Sequence, residues 1–334
     1  MSYFSALDLR QVCERLCQPK RTLIIYHVRS DADAVGSAFA LRELLRVMGI
    51  PAFCACGDEV PDRLRFLTDG VQGSVLLSEE LGLDHERVIS VDSASPTQLG
   101  SLFERLNRRI DLMIDHHGTG TTYADHYIDA EASATGEIIY EIAKELVVMG
   151  KIEEIPSRVI NSTYAAICSD TGCFRYANAT PRTFRCAAEL LERGAEQTEI
   201  NRILFESKTY KQLRAEGEAA SRLVLHDGGR IASVTFPYSS KFALSLQDEN
   251  LETIIDIPRS VAGVEVAFAV RQPEDKPFFR VSMRSSSDFD VSAVCARFGG
   301  GGHVRAAGCS VEAPNVREAE EMILRAVRER MKSE

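Results

Sequence analysis

No apolar run in this 334-residue chain approaches the ~20 residues that cross a bilayer, so no membrane span is expected. The N-terminus, MSYFSALDLRQVCERLCQPKR, is charged throughout and lacks the apolar core of a signal peptide. Zinc-type cysteine spacing is missing as well. The nine cysteines are scattered: Cys54 and Cys56 form a lone CxC, and Cys13 and Cys17 sit four apart on an expected helix. Neither has a matching second pair, so reduced thiols in a cytoplasmic protein are the expectation. Positive charge is in deficit, with a formal net charge of −10. That argues against a protein that coats long duplex DNA or RNA, because such binding is mostly phosphate neutralisation. It leaves room for a small anionic substrate held by local cations and metals. Internal repeats and low-complexity tracts are also absent.

What is present is ordinary globular composition, 45% hydrophobic and 26% charged, in a chain long enough for two domains. In the first half, short apolar runs (TLIIYHV, AFCAC, RVISVD, IDLMID) alternate with helical segments such as Phe39–Met48 and Pro61–Leu67. The alternation predicts an α/β domain over 1–195, with a mainly parallel sheet flanked by helices. Residues 196–226 have helical period and high polarity, and are expected to form a helical linker. Strands return at GRIASVTF, VEVAFAVRQ and FFRVSMRSS. They are followed by the helix VSAVCARF, a glycine run and a terminal helix, which predicts a smaller α/β domain over 227–334.

Acidic and histidine side chains gather where strands or helices end. YHVRSDADAVGS places His27, Asp31 and Asp33 in one loop after TLII. VISVDSASP places Asp92 after another strand, and LMIDHHGTG places Asp115, His116 and His117 after the next. AAICSDTGCFRY ends an apolar helix at Asp170. Alone, the first loop reads more readily as a solvated turn than as a ligand set, and Asp92 as a helix cap. In an open parallel sheet, however, loops at the carboxyl ends of strands converge on one edge. Clusters distant in sequence can therefore meet. Oxygen and imidazole ligands suit manganese, magnesium or a similar divalent ion. Six such residues are too many for one ion with an open position, and suit two ions sharing a carboxylate.

In this order the residues resemble the DHH phosphoesterase superfamily. HVRSDAD, Asp92, DHH and SDTG match its four N-terminal motifs. GGGGHVRAAG (Gly299–Gly308) is similar to the signature of the accessory DHHA1 domain. ASATGEIIYEI and DTGCFRYANATPRTFRCAAELLERGA resemble the NrnA-type group more narrowly. That group comprises nanoRNases that also remove the 3′-phosphate of adenosine 3′,5′-bisphosphate (pAp). The resemblance covers nearly the whole chain. One departure stands in the first motif: the family usually has Asn-Pro before the first aspartate, and this chain has Arg29-Ser30. Losing proline changes loop stiffness, and Arg29 adds a cation near the site.

The resemblance implies a DHH catalytic domain, then the linker, then a DHHA1 substrate-binding domain. It implies one ion on His27, Asp31 and Asp92, and a second on Asp33, Asp92, His116 and Asp170, with Asp92 bridging. Asp115 would orient a ligand histidine, and His117 would face the scissile phosphate as a catalytic group. Two divalent ions ~3.5–4 Å apart can activate a shared water for in-line attack on phosphorus. Mn2+ is expected, with Mg2+ or Co2+ as substitutes. Four consecutive glycines, Gly299–Gly302, offer N–H groups that can cradle a phosphate. Gly300, Gly301, Gly302, His303, Arg305 and Arg284 are expected to bind substrate, joined by Arg175 in CFRY. His85, His126 and His226 lack comparable context and read as structural or solvated.

The expected function is hydrolysis of short oligoribonucleotides, linear dinucleotides and pAp. A cyclic-dinucleotide phosphodiesterase is the close alternative, although membrane-bound forms of that family carry transmembrane segments not seen here. An inorganic pyrophosphatase shares the metal motifs, but the GGGGH domain suits a base-bearing ligand. A processive single-strand exonuclease would have a more basic groove. A non-catalytic nucleotide-binding protein on the same scaffold would be expected to have lost a ligand, and every ligand position here is filled. Related proteins are often homodimers.

Overall fold

The run TLII forms strand β1 (Thr22–Ile25), buried along its whole length. A strand covered on both faces needs no polar alternation, hence its continuous apolar sequence. In the computed structural model, which describes residues 4–68 and 85–332, β1 belongs to a five-stranded sheet. Its partners are β2 (Ala52–Ala55), β3 (Arg87–Val91), β4 (Leu112–Asp115) and β5 (His126–Ile128). The order is β2-β1-β3-β4-β5, and every neighbouring pair is parallel.

Side chains alternate between two apolar layers. Ile24 and Tyr26 pack with Ile89, Val91 and Ile114 under most of the helices of this unit. These are α1 (Leu9–Leu16), α2 (Ala32–Val47), α4 (Thr135–Val148), α5 (Ser157–Asp170), α6 (Pro181–Glu192) and α7 (Gln197–Asn201). Leu23 and Ile25 face the opposite layer with Val88, Met113 and Leu102 of α3 (Ser101–Arg105). From β1 the chain crosses to β2 on one side, then returns to β3 on the other. The loops leaving β1 and β3 therefore diverge, which opens a crevice at the carboxyl edge.

The chain divides into two compact units, Met1–Ser207 and Lys208–Glu334. The second holds α8 (Tyr210–Ser221), β6 (Leu223–His226), β7 (Ile231–Phe236), α9 (Tyr238–Ala243), α10 (Asp256–Arg259), β8 (Val266–Arg271) and β9 (Phe278–Ser285). It ends with α11 (Val291–Ala296), β10 (Gly301–His303), β11 (Ala306–Glu312) and α12 (Val316–Met331). Its sheet runs β10-β11-β9-β8-β7-β6, antiparallel except for the β7–β8 pair. Helices α11 and α12 cover one face, and α8 with a 3-10 segment at Asp248–Ile255 covers the other.

The 196–226 segment differs from a single helical bridge. It contains α7 and a π-helical turn at Arg202–Glu206 in the first unit, then α8 and the edge strand β6 in the second. Four residues, LVLH, are too few for a period to separate strand from helix, and pairing with β7 decides the outcome. All nine cysteines are free. Among the described residues, no helix is long and apolar enough to cross a membrane.

Candidate metal centre

The first motif is shaped by its helix start. Asp31 is the N-cap of α2, and its Oδ1 accepts from the amides of Asp33 and Ala34, both at 3.0 Å. Satisfying these orphan amides is ordinary capping. It also fixes Asp31 beside His27, whose Nε2 lies 3.8 Å away. Asp33, in the first turn of the helix, is fully buried.

Asp33 is held by a second helix start. Its Oδ2 accepts from the Thr135 amide at 2.7 Å, and its Oδ1 from the Gly136 amide at 2.8 Å and Ser37 Oγ at 2.9 Å. The N-cap of α4, Ala134, has no side-chain acceptor, so the carboxylate of α2 caps α4 instead. This approach needs Gly136: a Cβ there would lie 2.3 Å from the Cβ of Ala166 on α5. Thr135 also donates its hydroxyl to Asp92 Oδ1 at 3.0 Å.

Asp92 follows β3 in a left-handed conformation, φ 52°, with its amide donating to Ile114 O at 3.0 Å. Aspartate tolerates this region better than most residues, and such strain concentrates at functional sites. Its carboxylate is divided between two groups. Oδ2 lies 3.5 Å from His27 Nε2, and Oδ1 lies 3.7 Å from His116 Nε2. His116 Nε2 is in turn 3.8 Å from Asp33 Oδ2 and 3.4 Å from Asp170 Oδ2. Asp170 ends α5, and the side-chain amide of Asn178 ties its carbonyl (3.2 Å) to that of Ser133 (3.1 Å) just before α4.

The residues expected as ligands, together with Asp115 and His117, thus converge in overlapping sets: His27, Asp31 and Asp92; Asp33, His116 and Asp170; Asp92, Asp115, His116 and His117. Within each set the candidate ligand atoms lie within 4.8 Å of one another. The electrostatics fit divalent cations. Burial, then the charges of Asp92 and Asp31, pushes Asp33 well above the usual carboxylate range. Burial with Asp33, Asp31 and Asp92 does the same to Asp170. Burial opposes charge on His27, but its bond to Asp92 and the charge of Asp31 prevail and push it up to about 9. Carboxylates gathered so tightly without compensating charge resist ionisation, and hard cations relieve that conflict.

Asp115 differs from its expected partner. Its Oδ1 accepts from His117, at 2.7 Å from Nδ1 and 3.1 Å from the amide, and not from the ligand candidate His116. Both rings stay at the same site: the His116 and His117 centroids are 4.5 Å apart, and His116 Nε2 and His117 Nδ1 lie 3.7 and 3.8 Å from Asp92 Oδ1. Ala132 O lies 3.4 Å from His116 Nδ1. Burial works against charge on His117, but the Asp115 bond and the Asp115 and Asp92 charges raise its pKa to about 9.

The expected substrate residues are placed as follows. Arg175 donates through Nε to Gly172 O at 2.5 Å, and its guanidinium lies 5.9 Å from the Phe205 ring centroid. In the second unit, Arg284 on β9 faces Ala306 on β11, which faces His303 on β10, so positions 284 and 303 share one row. Arg305 pairs with Asp288 at 2.8 Å. The glycine run is less open than a phosphate cradle requires. The Gly299 and Gly300 amides are spent on Ala296 O (3.1 Å) and Cys295 O (3.0 Å), ending α11. Gly301 and Gly302 pair with β11. Gly300 is needed for closeness, since a Cβ would lie 2.2 Å from Gly308 O.

Sequence reasoning passed over Thr135, Gly136, Asn178 and Glu137. Buried Glu137 accepts from Ser133 (amide 3.1 Å, Oγ 2.7 Å) and lies 2.7 Å from Arg182 Nε, which fixes the loop before α4. The available signal was a helix start, SATG, with no N-cap side chain at Ala134 to satisfy its own amides.

Comparison with known proteins identifies the family. Residues 21–168 match the DHH family, N-terminal domain, and residues 237–333 match the DHHA1 domain. The bifunctional oligoribonuclease and PAP phosphatase NrnA of Thermus thermophilus is 30% identical over 92% of this chain and 89% of its own. The protein of the same name from Bacillus subtilis is 26% identical over 87% of this chain and 89% of its own. An exopolyphosphatase-related protein from Bacteroides fragilis shares the fold, with a TM-score of 0.88, 20% identity and 98% of each chain covered. With both domains matched in order and a relative similar over most of its length, the chain belongs to the DHH family, in the NrnA-type group that carries a C-terminal DHHA1 domain.

Proposed function

We propose that this protein is a two-metal phosphohydrolase of short nucleotides. Its substrates are oligoribonucleotides of a few residues, linear dinucleotides and the 3′-phosphate of pAp. The observation that carries the reading is the Asp92 carboxylate, with one oxygen toward His27 and the other toward His116. His27, Asp31 and Asp92 would hold one cation, and Asp33, Asp92, His116 and Asp170 the other, with manganese as the working metal. When bound, two divalent cations supply an activated water and neutralise charge on the phosphoryl oxygens.

The chain's own residues then do the rest. The α4 amides and Ser37 fix Asp33 in one orientation. Asp115 holds the His117 ring through Nδ1, which leaves Nε2 to carry a proton. A group held protonated near neutrality suits donation to the leaving oxygen as the phosphorus–oxygen bond breaks. His303, Arg284 and Arg305 are proposed to contact the nucleotide, supported by the shared row of positions 284 and 303.

One manganese-dependent assay tests this, over pAp, a 5′-phosphorylated dinucleotide, a five-mer RNA, cyclic di-AMP and pyrophosphate. Mononucleotide from the dinucleotide and phosphate from pAp, without pyrophosphate turnover, is the expected result. Turnover confined to cyclic di-AMP or to pyrophosphate would overturn the assignment.

A further inference from the structure

The departure from Asn-Pro at residues 29 and 30 has a definite form. Arg29 lies midway between His27 and Asp31 and takes a left-handed conformation, φ 56°. Side chains other than asparagine and aspartate rarely adopt it. Its amide donates to Asp58 Oδ2 at 2.7 Å, so the turn is pinned from the loop after β2. Proline at position 30 would press residue 29 toward extended backbone, and Ser30 releases that constraint. Ser30 is buried, and its hydroxyl has no hydrogen-bond partner among the described residues. What Ser30 contributes is therefore the lack of a ring.

The Arg29 side chain is exposed, and among the described residues its guanidinium has no hydrogen-bond or ion-pair partner. No other lysine or arginine lies within four residues of any ligand candidate in sequence. Arg175, the nearest after Asp170, is already engaged by Gly172 O and the Phe205 ring. The site itself gathers five carboxylates, those of Asp31, Asp33, Asp92, Asp115 and Asp170. Two divalent cations and protonated His117 only balance that charge, so nothing in the cluster itself offsets an incoming dianionic phosphate.

We infer that Arg29 is a specificity-determining residue that pairs with the reacting phosphoryl group and favours phosphate monoesters over phosphodiesters. This rests on the two-metal reading above. A monoester is close to a dianion at neutral pH and presents three non-bridging oxygens to the guanidinium fork. A diester carries one charge and two such oxygens. Coulomb attraction scales with that charge, and bidentate pairing with the oxygens available.

The test compares Arg29→Ala, Arg29→Lys and Ser30→Pro with the unaltered protein on pAp and on the diester bond of a 5′-phosphorylated diadenylate. The matched pair p-nitrophenyl phosphate and bis-p-nitrophenyl phosphate holds the leaving group constant. Arg29→Ala should lower kcat/KM on the monoesters by about thirtyfold and on the diesters by about threefold or less. Arg29→Lys should recover part of the monoester loss, because it keeps the charge without the fork. Ser30→Pro should move the monoester-to-diester ratio the same way as Arg29→Ala. Manganese affinity, measured by calorimetry, should not change. Equal losses on both ester classes, or losses that follow manganese affinity, would overturn the inference while leaving the hydrolase reading intact. An unaltered protein inactive on all four substrates would remove both.

Discussion

Gly136→Ala places one methyl group behind the Asp33 carboxylate, 3.5 Å from its Oδ1, and should disable the metal centre. The new Cβ would lie 2.3 Å from the Cβ of Ala166 and 3.3 Å from Thr163 O. Ordinary methyl contact begins near 3.4 Å, so α4 must retreat from α5 by roughly 1 Å. The Thr135 and Gly136 amides sit 2.7 and 2.8 Å from the Asp33 carboxylate, and a retreat of that size takes both beyond hydrogen-bond range. Overpacking costs ~1–3 kcal/mol, and each lost bond to a buried carboxylate costs ~1.5–3 kcal/mol. Alanine's better helix propensity returns only about 1 kcal/mol. A net loss of at least about 3 kcal/mol corresponds to a fall in Tm of at least roughly 6–12 °C in a unit of this size. Displacing a ligand by ~1 Å costs about 100-fold in turnover. Thermal unfolding and manganese-dependent hydrolysis of pAp measure the two effects. The double variant Gly136→Ala, Ala166→Gly removes the opposing methyl and should recover much of both. Near-normal Tm and turnover in the single variant, or no recovery in the double variant, would refute the claim that α4 amides position Asp33.

Two further outcomes follow from the site's charges. His117 is raised to about 9 largely through its bond to Asp115. If protonated His117 is the working form, activity falls on the alkaline side. Asp115→Asn should move that limb to lower pH, and an unmoved limb would argue against His117 as the proton donor. Metal binding needs neutral His27 and ionised Asp33 and Asp170, all of which hold protons too tightly in the metal-free protein. Manganese should therefore displace protons, and its affinity should rise with pH up to about 9. Calorimetry in two buffers of different ionisation enthalpy measures the release, and an enthalpy independent of buffer would contradict it.

The parallel strands were legible because burial on both faces leaves an unbroken apolar run, as in TLII and RVISV. The β5 strand, HYI, escaped notice because it is three half-buried residues whose pairing with β4 comes from elsewhere in the chain. The glycine run read as an open loop. Its pairing with β11 depends on close backbone approach, which local sequence does not encode. Similarly, the motif DHH announced three functional side chains without saying which histidine Asp115 would hold. The turn that follows β4 made that choice, bringing both the amide and Nδ1 of His117 onto Asp115 Oδ1.

By itself, the sequence determined which groups are available: hard oxygen and imidazole donors at the ends of apolar segments, in an order that marks the family. It could do so because ligand chemistry resides in residue type, and strand ends are signalled locally. Only the tertiary structure decided how those groups are shared. The split of Asp92 between His27 and His116, the capping of α4 by Asp33 and the left-handed turn at Arg29 each join segments remote in the chain. Sheet order and helix packing set those distances, to which a reading of neighbours along the chain has no access.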